Sequence, residues 1–236
     1  MNTLQNIVDR YNLQIPFQLP LRFIEIPGTN RETFTHLLAE LGLNIGAEIG
    51  VEAGIYSKML CDANPDRIDL YSIDAWTAYK GYRDHVSQDK LDDIKARAQE
   101  RLSGYITAGK CQLIKGFSTE IVKQFKDESL DFVYIDGNHE YQQTVNDIAE
   151  WHKKVRVGGI VAGHDYILRT RNGYLMHVPM AVNGYCESYD IRPLFILGAK
   201  SDPKPPEGIR DTARSWFYVK PEPFKVVPGS GHKIHQ

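Results

Sequence analysis

Between an apolar run and a helix-like one lies AEIGVEAGIYS, residues 47–57, in which Glu48, Gly50 and Gly54 spell E-x-G-x-x-x-G. A strand that hands over to a helix through glycines brings backbone close to a ligand, because glycine carries no Cβ and accepts positive φ. The amides opening the following helix face the same crevice. A dinucleotide fingerprint requires G-x-G-x-x-G, and here Glu48 stands where its first glycine belongs, which disfavours a nicotinamide-dependent oxidoreductase. A carboxylate at that point suits a ligand bearing an amine and a positive charge. The bland reading of the same residues is a tight strand-to-helix turn that binds nothing.

The chain around this turn alternates short apolar runs with amphipathic ones. Residues 1–13 place Leu4, Ile7, Val8 and Tyr11 on one helical side, and Pro16, Pro20 and Pro27 punctuate an extended stretch after it. Asn30 is the expected N-cap of a helix carrying Phe34, Leu37, Leu38 and Leu41, stopped at Gly42. Strands are expected at residues 45–49, 68–73, 111–116, 130–136 and 160–166, with helices between them, the last helix broken by Gly158-Gly159. Pro179 opens a short helix, and PLFILG and SWFYVK offer two closing strands with a Pro-rich segment, residues 202–214, between them. Strands alternating with helices imply a mostly parallel sheet covered on both faces, with ligands at the carboxyl ends of its strands.

The polar residues fall at those ends. Asp74 closes the second strand, roughly 25 residues after the glycine turn, where such folds place the acid that holds ribose hydroxyls. Gly116, Phe117 and Ser118 follow the third, Asp136 closes the fourth, and His164 and Asp165 close the fifth. After Asp74 come Ala75 and Trp76, and with Tyr79 and Tyr82 they form an aromatic loop that either covers a nucleoside or folds onto its own helix.

A formal net charge of -2 over 236 residues supplies no field to gather a polyanion, so nucleic acid is not expected as a partner. The N-terminus lacks the continuous apolar run of a signal peptide and no stretch approaches a membrane span, so a cytoplasmic location is expected. Cys61, Cys111 and Cys186 have no metal-like spacing and are read as reduced packing residues.

On these motifs, residues 45–166 resemble the class I S-adenosylmethionine (SAM) dependent methyltransferases, and within them the metal-dependent small-molecule O-methyltransferases of the macrocin, mycinamicin and catechol type. The resemblance implies a Rossmann-like α/β fold with a mostly parallel seven-stranded sheet, preceded by an N-terminal helical extension (1–44) and followed, after a SAM-binding domain (45–220), by a mobile tail (221–236). It implies that Glu48, Gly50 and Gly54 form the SAM motif, with Ser57 near the methionine end, that Asp74 holds the ribose, that Gly116, Phe117 and Ser118 lie beside the adenine, and that Ala75, Trp76 and Asp136 also bind the cofactor. A divalent metal, Mg²⁺ or Mn²⁺, would be held by Asp136, His164 and Asp165. Relatives usually carry aspartate where this chain has His164, and imidazole is a poor ligand for Mg²⁺ that shifts preference towards Mn²⁺, Fe²⁺ or Zn²⁺. The D-x-x-H spacing of Asp136 and His139 matches the macrolide-sugar enzymes, which makes His139 the expected general base for the acceptor hydroxyl. The activity implied is methyl transfer to a hydroxyl of a small molecule such as a glycoside or polyketide, by a chain that can form a homo-oligomer. Transfer to nitrogen, or SAM binding without turnover, remain open on the sequence.

Overall fold

The computed structural model describes residues 2–15, 23–79, 87–168, 170–171, 174–199, 202 and 213–222. Tyr82 and all but the first two residues of the expected tail lie outside them. Helix α1 (Thr3–Arg10) is followed by β1 (Ile24–Ile26) and by α2 (Arg31–Glu40). Asn30 caps α2 as expected, accepting from the amides of Glu32 and Thr33, while Thr33 Oγ1 accepts from the Asn30 amide to complete a capping box. Gly42, at φ 68°, takes the left-handed turn that ends it.

Then come β2 (Ile45–Ile49), α3 (Ile55–Ala63), β3 (Asp69–Asp74), α4 (Gln88–Thr107), β4 (Cys111–Lys115), the single turn α5 (Ser118–Ile121), β5 (Leu130–Ile135), α6 (Tyr141–Lys154) and β6 (Val155–Gly163). A small hairpin of β7 (Thr170–Arg171) and β8 (Tyr174–Leu175), not among the expected strands although Asn172-Gly173 between them is a strong hairpin signal, precedes α7 (Val178–Ser188), β9 (Phe195–Leu197) and β10 (Trp216–Val219).

The main sheet has eight strands rather than seven, in the order β1-β9-β10-β6-β5-β2-β3-β4. The five strands from β4 to β6 are parallel, and β10 is antiparallel to both β6 and β9. The eighth strand is β1, drawn from the stretch read as an extended connector and paired in parallel with β9. The chain is therefore a mostly parallel, Rossmann-like α/β fold.

Strand alternation sorts the core into two layers. Ala47, Ile49, Val133, Ile135 and Val161 face Ile148 and Trp151 of α6 and Val178 and Val182 of α7. Phe132, Tyr134, Ile160 and Phe217 face the other way, against Ile7, Phe34, Leu37, Tyr56 and Leu60 of α1 to α3. Gly158-Gly159, expected to break a helix, lies inside β6. There Val155 pairs with Leu130 and Ile160 with Phe132, so five residues oppose two, and the glycines form the resulting bulge. A Cβ on Gly159 would stand 2.4 Å from the carbonyl oxygen of Asp131, which leaves room for glycine alone. Among the described residues no helix is long and apolar enough to cross a membrane.

Candidate active site

The parallel strands end together on one edge, and the polar residues at their ends form two groups. The first surrounds the glycine turn. Gly50, at φ 92°, nests against β5: a Cβ there would fall 2.2 Å from the carbonyl oxygen of Asp136. Gly54, at φ 75°, stands before α3 and packs on Ala98 and Leu102 of α4. The glycines thus let strands and helices approach one another, a constraint separate from any ligand.

Asp74 holds this turn shut. Its Oδ2 accepts from the amides of Val51 and Glu52, each at 2.9 Å, and its Oδ1 from that of Trp76 at 2.9 Å. A carboxylate has about four lone-pair directions, so Asp74 keeps one for a hydroxyl rather than the two a ribose diol could use. Burial raises its pKa even against those three bonds. Asp74→Ala is expected to destabilise the protein by about 2 kcal/mol or more as well as to weaken SAM binding tenfold or more. Urea denaturation and calorimetry would check the two effects, and an unchanged midpoint would refute the structural half.

Glu48 and Ser57, expected at the cofactor, lie beneath the turn. Glu48 is 1 % exposed, receives the Ser57 hydroxyl, and is pushed up to about 8 by burial, which favours its neutral form. Ser57 Oγ continues to Ser72 Oγ at 2.8 Å. Trp76 is buried too, against Val51, Ala53, Ile94 and Ala98, and its Nε1 donates to the Glu52 carbonyl at 2.9 Å. What faces outward is the pair of Tyr79 and Phe117, 40 % and 39 % exposed, meeting edge-on at 5.6 Å near the ends of β3 and β4. Two exposed rings beside Ala75 and the Gly116 turn provide a surface on which a purine can rest, so the chain's residues fit a nucleoside cofactor.

Ser118 donates to Asp147 of α6, a buried carboxylate pushed up to about 6 that the sequence reading passed over. Its signal was available: Thr144, Asp147, Ile148 and Trp151 form the buried stripe of α6, and an acid on such a stripe is out of place without a partner.

The second group brings Asp136, His139, His164 and Asp165 together. His139 Nε2 is 2.7 Å from Asp165 Oδ2 and 3.8 Å from Asp136 Oδ1; His164 Nδ1 is 3.6 and 3.7 Å from the same oxygens. Asp165 sits at φ 54°, a strained conformation for a residue with a side chain, just after β6 ends. The neighbouring chain is pinned: Trp216 Nε1 donates to the His164 carbonyl at 3.2 Å, and the Tyr166 hydroxyl to Asn183 at 2.8 Å. Burial disfavours a charged His139, but the carboxylates of Asp136 and Asp165 outweigh it and raise the ring to about 9. Burial likewise opposes ionisation of Asp136 and Asp165, and the histidines prevail, holding both below the usual carboxylate range.

One ligand atom from each of Asp136, His139 and Asp165 lies within 4.8 Å of the others, a grouping able to hold a metal ion. His139 Nε2 is buried and, despite its 2.7 Å contact, makes no aligned hydrogen bond. A buried ring nitrogen beside two carboxylate oxygens, yet directed at neither, fits a shared cation. His139, expected as a base apart from the metal, thus belongs with the candidate ligands, and His164 stands beside them.

Residues 47–166 match the family described as a methyltransferase domain. No curated protein matches the chain. Among solved structures it is similar to one named as a caffeoyl-CoA O-methyltransferase from Staphylococcus aureus, with a TM-score of 0.54 and 15 % identity over 92 % of this chain and 90 % of that one. It is similar to one named as an O-methyltransferase from Klebsiella pneumoniae, at 0.54 and 14 % over 93 % and 90 %. An rRNA methylase from Streptococcus thermophilus aligns at 0.52 and 14 % over 81 % and 94 %. At such identities the likeness is one of fold, and names that run from a coenzyme A ester to ribosomal RNA leave the acceptor open.

Proposed function

Since the chain belongs to the methyltransferase-domain family and is, as such, a SAM-dependent methyltransferase, we propose that it methylates a hydroxyl of a small molecule with the aid of a divalent cation. The observation that carries this reading is the convergence of Asp136, His139 and Asp165 within 4.8 Å, beside the glycine turn. Methyl transfer forms an oxygen–carbon bond as the sulfonium–carbon bond breaks, and the acceptor's proton must leave. Asp136, His139 and Asp165 would hold the cation, which when bound would acidify a hydroxyl in contact with it. The Tyr79 and Phe117 rings would receive the adenine and the remaining lone pair of Asp74 a ribose hydroxyl. Glu48 and Ser57 would act at one remove, by supporting the turn. A net charge of -2 and the small imidazole–carboxylate cluster favour a small hydroxylated metabolite, such as a glycoside or polyketide, over RNA.

A second reading keeps His139 as the proton acceptor, backed by Asp165 without any metal. The 2.7 Å contact favours it, since a carboxylate beside the ring would stabilise the imidazolium formed when the ring takes the proton. Turnover of SAM with a panel of hydroxylated acceptors, before and after EDTA and with Mn²⁺ restored, separates the two. Loss of rate on chelation and its return with Mn²⁺ is the expected result. Full turnover in excess EDTA would reject the cation and leave His139 as the base.

A further inference from the structure

Asp136 has two carboxylate oxygens, and only one of them faces the histidines. Oδ1 is the oxygen 3.7 to 3.8 Å from His164 and His139, while Oδ2 accepts from Arg31 at 2.8 Å. Arg31 begins α2, outside the segment that matches the family. A cation in the first turn of a helix opposes the macrodipole, so its presence there calls for a partner elsewhere. Its guanidinium lies over the rings of Tyr56, at 4.3 Å, and Tyr134, at 5.5 Å, which fix it from below. The backbone of Asp136 is fixed as well: its amide donates to the Ile49 carbonyl at 2.7 Å and its own carbonyl abuts Gly50. What remains free in Asp136 is rotation of the side chain, and Arg31 sets that rotation.

We propose that Arg31 is a positioning residue that reserves one oxygen of Asp136 for itself, so that a cation in the cluster meets this carboxylate through a single oxygen and ions that take both oxygens of a carboxylate are disfavoured. Ca²⁺ accepts bidentate carboxylates and a high coordination number, whereas Mn²⁺ tolerates imidazole and a smaller ligand set. The inference rests on the cation reading given above.

The test is calorimetric titration of the full-length protein with Mn²⁺ and, separately, with Ca²⁺, in wild type, Arg31→Met and Arg31→Lys. Methionine keeps an apolar stem on Tyr56 and Tyr134 and removes the charge. The expected result is a wild type that prefers Mn²⁺, an Arg31→Met variant whose Ca²⁺ affinity rises by about tenfold more than its Mn²⁺ affinity, and an Arg31→Lys variant that lies between them. Arg31 as a mere tie between α2 and the sheet would lower the melting temperature and leave the Mn²⁺-to-Ca²⁺ ratio within about twofold of wild type, which would overturn the proposal. A wild type that binds neither ion would overturn the cation reading itself, and this inference with it.

Discussion

His139→Ala is expected to lower kcat by about 10² to 10⁴, the range set by loss of a positioned proton acceptor or of an equivalent acidifying group, with SAM affinity unchanged. The unchanged affinity follows from place, since His139 is absent from the bonds that hold the glycine turn to Asp74. The two uses of the ring separate on addition of metal. Loss of a ligand weakens Mn²⁺ binding, and higher Mn²⁺ restores part of the rate; loss of a base is not repaired in that way. A variant within about threefold of wild-type kcat would remove His139 from the reaction altogether. Stability without metal supplies an independent reading. The carboxylates raise the ring to about 9 from an ordinary 6.5, so its contribution is fully present below pH 6.5 and is lost as pH rises through 9. Melting curves of wild type and variant across that window should converge towards the alkaline end.

Gly50→Ala should produce a large loss of stability for so small a change. The added Cβ would stand 2.2, 2.5 and 2.7 Å from three backbone atoms of Asp136 and Gly137, and the residue must also hold φ at 92°. Conformational strain and overpacking each cost about 1 to 3 kcal/mol, and no flexible side chain is available to yield. A destabilisation of about 3 kcal/mol or more is expected in urea titrations. Gly54→Ala is the comparison: its Cβ would meet the Leu102 side chain at 3.1 Å and Ala98, its Cα included, at 3.3 Å, contacts tight by a few tenths of an ångström rather than overlaps, so the strain at φ 75° dominates and about 1 to 2 kcal/mol is expected. Equal effects from the two variants would show that contact with β5 is not what Gly50 is for.

The parallel half of the sheet could be read from the chain because its strands are short apolar runs that end in a glycine or a polar residue, and local pattern suffices to find such runs. Asn30 and Gly42 marked the limits of α2 for the same reason, since capping is decided within four residues. The pairing of Ile24–Ile26 with Phe195–Leu197 could not be read, because a three-residue strand carries almost no periodicity and its partner lies far along the chain. At the site, residue types and strand ends were legible but directions were not. Glu48 and Trp76 occupy the expected positions and turn their side chains into the protein, bonded to Ser57 and to the Glu52 carbonyl. His139 differs from its expected setting because residue 165 takes a left-handed conformation that swings the Asp165 carboxylate towards it. Aspartate takes left-handed φ more readily than most residues but seldom enough that its presence alone does not announce such a turn.

The order of strands has a consequence for how the protein is made. Strands β2 to β6 are finished when Gly163 leaves the ribosome, and nothing in their mutual pairing waits for later residues. Yet β6 then presents an open edge until β10, the final strand of the sheet, arrives to cover it. Strand β1 has β9 as its neighbour in the sheet and is without it until residues 195–197 are made. Domains made from the N-terminus forward usually bury their early segments first, and long-range pairing of this kind is slow and prone to association between chains. Between residues 163 and 195 the growing chain therefore holds all five parallel strands while the β6 edge is open and β1 is without its neighbour.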